Sequence, residues 1–342
     1  MRRWEIRTGI QSISSYGSFN TMIGSILSPF GDQTLTTKQL LTTTSALIVL
    51  AIVAYFIFTE ITRYKTRIPT IDGPTGLPIV GNYHQLAPDP AESLRKWSKQ
   101  YGEVYQIMMG DMPVIIVNSM QAARDIFIGQ GHSTLDRPRL YTFHSVLSSV
   151  ASSIGTNSWN DNTKRRRKVA ASAMNRPSTQ SYLPFIEELT RSLIGELLSK
   201  GQGGKTAFDP RETITHSMVD LTMTIHYGAR LPAEPGLLEE IVDVEDGLSR
   251  IKSPLGSLQD YVPIMRYVPF ANNSAVARNI NRRRLVFLNR FDRELKERIA
   301  EGRETSSIAS NCLKDPEARI DDVDLLSISM SMVSHCAPPR ER

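Results

Sequence analysis

Cysteine is scarce in this sequence: its 342 residues include only Cys312 and Cys336. Two thiols cannot build a disulfide framework or a cysteine-based zinc site, so both of those classes are excluded. Histidine is also sparse, and none of the six has the H-x-x-x-H or H-E-x-x-H spacing of a zinc hydrolase. We therefore expect no metal-ligating residue, histidines that belong to the core or to loops, and two inert thiols.

Two other catalytic signatures are missing. The glycine-rich stretch 201–204 (GQGG) follows no strand, so it does not form a phosphate-binding loop. No G-x-S-x-G segment is present to form a nucleophile elbow. The composition is otherwise ordinary, with 40% hydrophobic residues, 22% charged residues and a net charge of +5. A disordered polyelectrolyte is therefore excluded, and a globular fold is expected.

One long apolar run stands out against this background. Residues 40–58 (LLTTTSALIVLAIVAYFIF) form 19 consecutive positions without a charge. A helix of that length spans the ~30 Å hydrocarbon core of a bilayer. A buried helix of a soluble core is the alternative, whereas a cleaved signal peptide is disfavoured because the run begins about 40 residues into the chain. The run predicts one transmembrane anchor.

The charges that flank this run predict its orientation. Arg63, Lys65 and Arg67 follow it, whereas only Lys38 immediately precedes it. The positive-inside rule then places the large C-terminal part in the cytosol. Residues 1–39 form an N-terminal tail whose beginning is rich in arginine and poor in acids. A luminal tail, a start codon assigned too far upstream and a mitochondrial presequence remain open for it.

The rest of the chain predicts a mainly α fold with one small β-sheet. Residues 59–82 form a hinge, in which six prolines and glycines occupy the thirteen positions 69–81. Asp89, Pro90 and Glu92 are typical of a helix N-terminus, and Gly102 ends that helix. The runs VYQIMM and PVIIV on either side of Gly110 predict a hairpin. Further helices are predicted at 164–174, 182–199, 212–227, 237–249 and 276–303.

The segment 137–155 (RPRLYTFHSVLSSVASSIG) shows no periodicity. We predict a long irregular loop in front of the next helix. Long ordered loops frequently act as lids or binding loops, although a plain surface loop remains equally open.

The basic run Lys164–Lys168 (KRRRK), preceded by Trp159, is the most unusual charged feature. A nucleic-acid patch is disfavoured in a chain with a membrane anchor. A solvated or lipid-facing helix face remains possible, as does an anion site. If one helix includes Trp159, then Arg166 lies within about 20° of it, and the two side chains can clamp a carboxylate.

The order of these features resembles the microsomal cytochrome P-450 monooxygenases over residues 68–334. WNDNTKRRRKVAASAMNRPSTQSY and the upstream GNYHQL are similar to fungal enzymes of the phenylacetate hydroxylase type. The resemblance implies a haem cofactor whose propionate is held by Trp159 and Arg166, with Arg167 as the next choice. The family's arginine commonly follows four residues after the tryptophan, but that position is Thr163 here. Substrate contacts are implied for Phe143, His144 and Val146.

The resemblance also implies an activity and a location. An enzyme of this family is an oxidoreductase that hydroxylates a small aromatic or lipophilic substrate with O₂ and with electrons from NADPH-cytochrome P-450 reductase. The anchor implies contact with membrane lipid in the endoplasmic reticulum, with a mitochondrial location as the alternative. No nucleic-acid partner is expected.

Several family motifs are not found in the sequence. We expect residues 83–334 to hold only the N-terminal two-thirds of the cytochrome P-450 domain, with the family's central helix beginning at Asp321. The acid/alcohol pair, the Glu-x-x-Arg pair and the loop with the iron-ligating cysteine do not occur, so no catalytic or metal-binding residue is assigned. Residues 335–342 (HCAPPRER) form an aberrant tail in this interpretation. A truncated non-catalytic fragment and a basic membrane-surface protein remain the alternatives.

Overall fold

The structure is a computed structural model that describes residues 37–148, 150–253, 255–269, 272–317 and 319–333. Contacts divide the chain into two compact units, one ending at Phe58 and one beginning at Thr59. The described part is mainly helical with one small sheet, as predicted. Its helices and strands are α1 (Thr37–Thr66), α2 (Pro90–Tyr101), β1 (Val104–Met109), β2 (Met112–Val117), α3 (Met120–Arg124), α4 (Asp161–Ala173), α5 (Arg176–Ser181), α6 (Leu183–Lys200), α7 (Arg211–Tyr227), α8 (Leu237–Lys252), α9 (Leu258–Tyr261), α10 (Ser274–Ala300), α11 (Ile308–Lys314) and α12 (Asp322–Val333).

Among the described residues, α1 is the one helix long and apolar enough to cross a membrane. Its polar side chains do not interrupt it, because their hydroxyl groups donate back to carbonyls one turn earlier. Thr43 Oγ1 lies 2.8 Å from the Gln39 carbonyl oxygen, and Ser45 Oγ lies 2.7 Å from that of Leu41. The predicted apolar run 40–58 therefore lies in a helix that can anchor the protein in a membrane.

The N-terminus of α2 has the predicted cap. The Asp89 carboxylate accepts a hydrogen bond from the backbone N–H of Glu92 at 3.1 Å, and Pro90 is the first helical residue. The helix ends before Gly102, which has a φ of +94°. This conformation is readily available to glycine, which accounts for the termination of the helix at this residue.

The predicted hairpin is also present. Strands β1 and β2 pair antiparallel, with Met109 opposite Met112. Gly110 opens the two-residue turn with a φ of +62°, as in type II′ turns. A Cβ atom at this position would lie 2.1 Å from the carbonyl oxygen of Tyr261, so the turn also requires glycine for close packing.

The long helices α4, α6, α7, α8 and α10 confirm the periodicity predictions, and their ends differ from the predicted ones by at most three residues. The expected central helix begins at Asp322, one residue after the predicted start. The prediction of an irregular segment before α4 was wrong in part, because Tyr141–Leu147 is π-helical. The N–H of Ser148 donates to the Phe143 carbonyl, five residues back. A search for a 3.6-residue period does not detect this wider turn.

The main core surrounds α12, which is buried over most of its length. A helix buried on all sides is typical of the interior of a large domain. Alternate positions of α12 are serines, and their hydroxyl groups find partners inside the protein: Ser331 Oγ, for example, lies 2.9 Å from Ser153 Oγ. The apolar side chains packed around it come from the π-helical segment and from α7, α8 and α10; they include Phe143, Val146, Leu147, Met223, Ile241, Leu248, Ile280, Leu288, Phe291 and Leu295.

A buried polar chain links three of these helices. His226 Nε2 lies 2.9 Å from Ser329 Oγ, which donates to Asp292 Oδ1 at 3.1 Å. Burial raises the pKa of Asp292 from 3.8 to about 6, although the hydrogen bond from Ser329 opposes the rise. Burial also lowers the pKa of His226 to about 3. The folded protein thus disfavours charge on both groups.

We expect Asp292→Asn to stabilise the protein at neutral pH. The folded state holds the Asp292 proton more tightly than the unfolded state, so this group lowers stability as the pH rises from about 4 to 6. The variant should match the wild type near pH 4 and exceed its unfolding free energy by about 2–3 kcal/mol above pH 6. Urea denaturation of both proteins across this range measures the difference in unfolding free energy. His226 has the opposite pH dependence, but it is present in both proteins and cancels in the difference. A difference independent of pH would contradict the assignment.

Candidate cofactor and substrate site

The N-terminus of α4 separates Trp159 from the helix that carries the basic run. Asn160 is the N-cap, and its side-chain oxygen accepts from the backbone N–H of Thr163 at 2.8 Å. Trp159 precedes the cap, and its backbone N–H donates to Asp136 Oδ1. The condition for a Trp159–Arg166 clamp, a single helix including both residues, is therefore not met.

Trp159 instead lies beside Arg167. The guanidinium carbon of Arg167 lies 5.4 Å from the indole centroid, and Lys164 Nζ lies 5.6 Å from it. Arg167 Nε and Nη2 both donate to the carbonyl of Ile154, at 3.2 and 3.1 Å. Burial, followed by the charge of Arg137, lowers the pKa of Arg167. The aromatic ring and this cation therefore form one local unit at the start of α4.

Arg166 points toward the central helix. Its Nε donates to Asp324 Oδ1 at 2.5 Å, and its Nη1 donates to Ser327 Oγ at 3.1 Å. Arg165 Nη2 pairs with the other carboxylate oxygen of Asp324. Burial raises the pKa of Asp324, but the hydrogen bond and charge of Arg166 outweigh it, and the net pKa lies below the usual value. Sequence reasoning did not single out Asp324, which follows the basic run by more than 150 residues.

The three residues predicted to contact substrate lie in the π-helical segment. Phe143 and Val146 are buried in the main core. His144 is half-buried, and its ring is held by backbone groups: Nε2 lies 2.9 Å from the Thr156 carbonyl oxygen, and Nδ1 lies 3.0 Å from the Leu140 nitrogen. This ring therefore fixes the path of the chain between Leu140 and Thr156.

Beside Phe143 lies a group of charges, two of them buried, that sequence reasoning missed. Arg284 Nε donates to Glu245 Oε1 at 2.6 Å, and the two side chains are 4% and 1% exposed. Lys252 Nζ lies 5.3 Å from the centroid of the Phe143 ring. A signal was available, because Glu245 lies within the apolar stripe of α8, between Ile241 and Leu248.

The cytochrome P450 family model matches residues 71–333. The chain belongs to the cytochrome P450 family. It is 41% identical over 282 residues to 3-hydroxyphenylacetate 6-hydroxylase of Emericella nidulans, covering 82% of this chain and 54% of the relative. It is 39% identical over 288 residues to phenylacetate 2-hydroxylase of the same organism, covering 82% and 55%. Cytochrome P450 1A1 of Opsanus tau is 26% identical over 302 residues, covering 85% and 53%.

These comparisons confirm the predicted resemblance to cytochrome P450 enzymes of the phenylacetate type. The chain spans about half the length of the curated relatives it matches. Membership of the cytochrome P450 family implies haem, a cofactor with two carboxylates and an iron atom. Within the residues that the structure describes, no cluster of three or more His, Cys, Asp or Glu side chains suits a metal ion.

The basic residues at the start of α4 include a donor that suits the carboxylate end of a haem. Arg165 Nε is a buried donor without a hydrogen-bond partner within the described residues. It lies on the same helix as Arg166 and Arg167, whose guanidinium groups already donate to Asp324, to Ser327 and to the Ile154 carbonyl. An anion would satisfy the Arg165 donor, which makes this region suitable for a propionate.

Cys312, the cysteine within the described residues, does not suit the iron as a thiolate ligand. Cys312 is 1% exposed, and burial, assisted by the charge of Asp315, raises the pKa of its thiol to about 12. A thiol, not a thiolate, therefore occupies this position, as the sequence predicted. Cys336 and His335 lie outside the described residues. The described residues thus offer donors for the periphery of a haem, and Cys312 does not serve as its axial thiolate.

Proposed function

We propose that the protein containing this chain is a membrane-anchored, haem-dependent monooxygenase that hydroxylates a small aromatic acid of the phenylacetate type. The observation that carries the proposal is the family match over residues 71–333, together with 39–41% identity to two fungal phenylacetate hydroxylases. Because the chain spans about half of each relative, the activity is assigned to the whole protein.

The described residues take distinct parts in this function. Haem, when bound, supplies the iron that activates O₂. Arg167, beside the indole of Trp159, would hold a propionate at the start of α4, and Arg166 would have to exchange its partner Asp324 to do so. Phe143, His144 and Val146 belong to the segment that borders the substrate, where Phe143 supplies an apolar, aromatic surface for a ring. Electrons come from an NADPH-cytochrome P-450 reductase.

The proposed location is the membrane of the endoplasmic reticulum, with the large domain in the cytosol. Two features support it: α1 is the candidate span, and Arg63, Lys65 and Arg67 follow its apolar run. Positive charges are retained on the cytosolic side, so the unit that begins at Thr59 is assigned to the side where an NADPH-dependent reductase works.

The carbon monoxide difference spectrum of the reduced protein tests the function. The full-length protein, isolated in its membrane, should show a Soret band near ~450 nm, the signature of thiolate-ligated haem. With reductase, NADPH and O₂ it should convert phenylacetate to a hydroxylated product detectable by mass spectrometry. A protein that takes up no haem would support the alternative of a non-catalytic fragment. A haem protein that oxidises no aromatic acid would refute the substrate assignment.

A further inference from the structure

A cavity of about 170 Å³ lies between the C-terminal halves of α7 and α10 and the segment 229–232 that follows α7. An apolar cavity of roughly 150 Å³ is large enough for a benzene ring. Arg230 lines the cavity and has 46% of its side chain exposed, so a ligand can reach the cavity from the solvent. The cavity therefore has room for a ring, and none of its lining residues belongs to the π-helical segment.

Most residues that line this cavity are apolar or aromatic. Tyr227 and Phe291 both line it, and their ring centroids lie 5.5 Å apart with the ring planes tilted by 37°. Met223, Leu231 and Pro232 extend the apolar lining. Aromatic rings pack favourably on one another in tilted or offset contacts, so this lining suits a flat aromatic ring.

Two of the three charged residues in the lining have carboxylate or guanidinium partners. Arg230 donates to Asp220 at 2.7 Å and to Glu188 at 3.1 Å. Glu294 accepts from Arg290 Nε at 2.8 Å. These charges compensate one another, so neither Arg230 nor Glu294 offers an uncompensated charge to a ligand.

Arg298 is the third charged residue, and it has no carboxylate partner within the described residues. Its Nη2 donates to the Tyr227 carbonyl oxygen at 2.8 Å, at the C-terminus of α7. Its Nε is a buried donor for which the described residues supply no acceptor. Buried donors in native proteins almost always have a partner, and a carboxylate would satisfy this one with a charge-assisted hydrogen bond.

We infer that this cavity binds a small aromatic carboxylate, whose ring packs on Tyr227 and Phe291 and whose carboxylate accepts from Arg298. The volume limits the ligand to a single ring with a short substituent, of which benzoate is the simplest example. The inference adds a ligand site to the protein and does not depend on the proposed function.

Benzoate and benzamide test the inference, because they have nearly the same shape and differ in charge. Isothermal titration calorimetry on the purified full-length protein measures their dissociation constants. We expect the wild type to bind benzoate at least about 10-fold more tightly than benzamide. Arg298→Met should weaken benzoate binding about 10- to 100-fold, the effect of one lost charge-assisted hydrogen bond, and benzamide binding less than about threefold.

Two further variants separate the charge from the cavity. Ala229→Leu places a larger side chain in the lining and leaves Arg298 unchanged, so it should weaken both ligands at least about 10-fold. Arg293→Met is the matched control, because Arg293 is also on α10 but is 71% exposed and lies 4.0 Å from Glu297. It should leave both dissociation constants unchanged. Thermal unfolding establishes that each variant is folded.

Each other outcome would overturn the inference. Benzoate binding that neither Arg298→Met nor Ala229→Leu changes would belong elsewhere in the protein. Equal weakening of both ligands by Arg298→Met would show that Arg298 acts by holding the end of α7 and not by binding the carboxylate. A wild type without affinity for benzoate would show that the cavity is filled in the full-length protein. None of these results alters the carbon monoxide difference spectrum, which tests the proposed function.

Discussion

Replacing Arg284 with methionine is expected to lower the free energy of unfolding by about 3–5 kcal/mol, the usual effect of breaking a buried ion pair. Arg284 connects three elements: it lies on α10, pairs with Glu245 on α8 and donates to the Met330 carbonyl on α12. Both charged side chains are almost fully buried. Methionine fills the space but leaves the Glu245 carboxylate in the core without its partner.

The double variant Glu245→Gln/Arg284→Met isolates the cause. It removes both charges, and we expect it to recover most of the lost stability, because the buried, uncompensated carboxylate is the source of the destabilisation. Urea denaturation followed by tryptophan fluorescence measures all three proteins. If the double variant were as unstable as Arg284→Met, lost packing, not charge, would be responsible.

Arg283 is the matched control for Arg284. It is the preceding residue of α10 and also pairs with α8, through Glu240 and Asp243, but its side chain is 31% exposed. Exposed pairs contribute about 0–1 kcal/mol, so Arg283→Met should cost no more than that. Equal losses for Arg283→Met and Arg284→Met would show that burial does not decide the outcome.

Local patterns in the sequence predicted most of the secondary structure. The apolar stripe of α10, the Asp89 cap and the two-residue hairpin turn at Gly110 depend on neighbours within a few positions. The run 40–58 is likewise recognised by its length and lack of charge. Such signals are present in the sequence itself, which explains why these elements are found in the structure.

The geometry of the candidate cofactor site depends on contacts between residues that are far apart in the sequence, and no local pattern reveals such contacts. Arg166 and Asp324 are 158 residues apart in sequence, and their contact arises from the packing of α4 against α12. The expected clamp of Trp159 and Arg166 assumed a helix that includes both residues, whereas the Asn160 cap starts the helix after Trp159. The sequence Asn160-Asp161-Asn162-Thr163 offers several residues that commonly cap helices, so the sequence alone did not determine which of them is the N-cap of α4.

The charges of α8 illustrate a second limit of sequence-based prediction. Glu245 and Lys252 occupy the core-facing side of α8, but helices often place single charged residues at the edge of an apolar stripe. Only the structure shows that Arg284 of α10 pairs with Glu245 and that Lys252 Nζ lies 5.3 Å from the centroid of the Phe143 ring. The position of these charges beside Phe143 therefore follows from the packing of the π-helical segment, α8 and α10.

Asp324→Asn is expected to reduce the free energy of unfolding by about 3–4 kcal/mol, because it removes the charge that compensates two arginines. The carboxylate is 1% exposed, Arg166 is 11% exposed and Arg165 is 40% exposed. Arg165 can regain water, but Arg166 would remain between α4 and α12 without a counter-charge. The neighbouring variant Asp322→Asn is the control, since Asp322 is 87% exposed and pairs with Lys296 at the surface.

The pH dependence of the same variant provides a second measurement. The folded protein holds the pKa of Asp324 below its unfolded value, so the unfolded state binds a proton first as the pH falls. The stability advantage of the wild type over Asp324→Asn should therefore be complete at neutral pH and decline below about pH 4. Urea denaturation at a series of pH values tests this. An advantage that persisted unchanged at pH 2, or an equal effect of Asp322→Asn, would show that the Asp324 charge does not join α4 to α12.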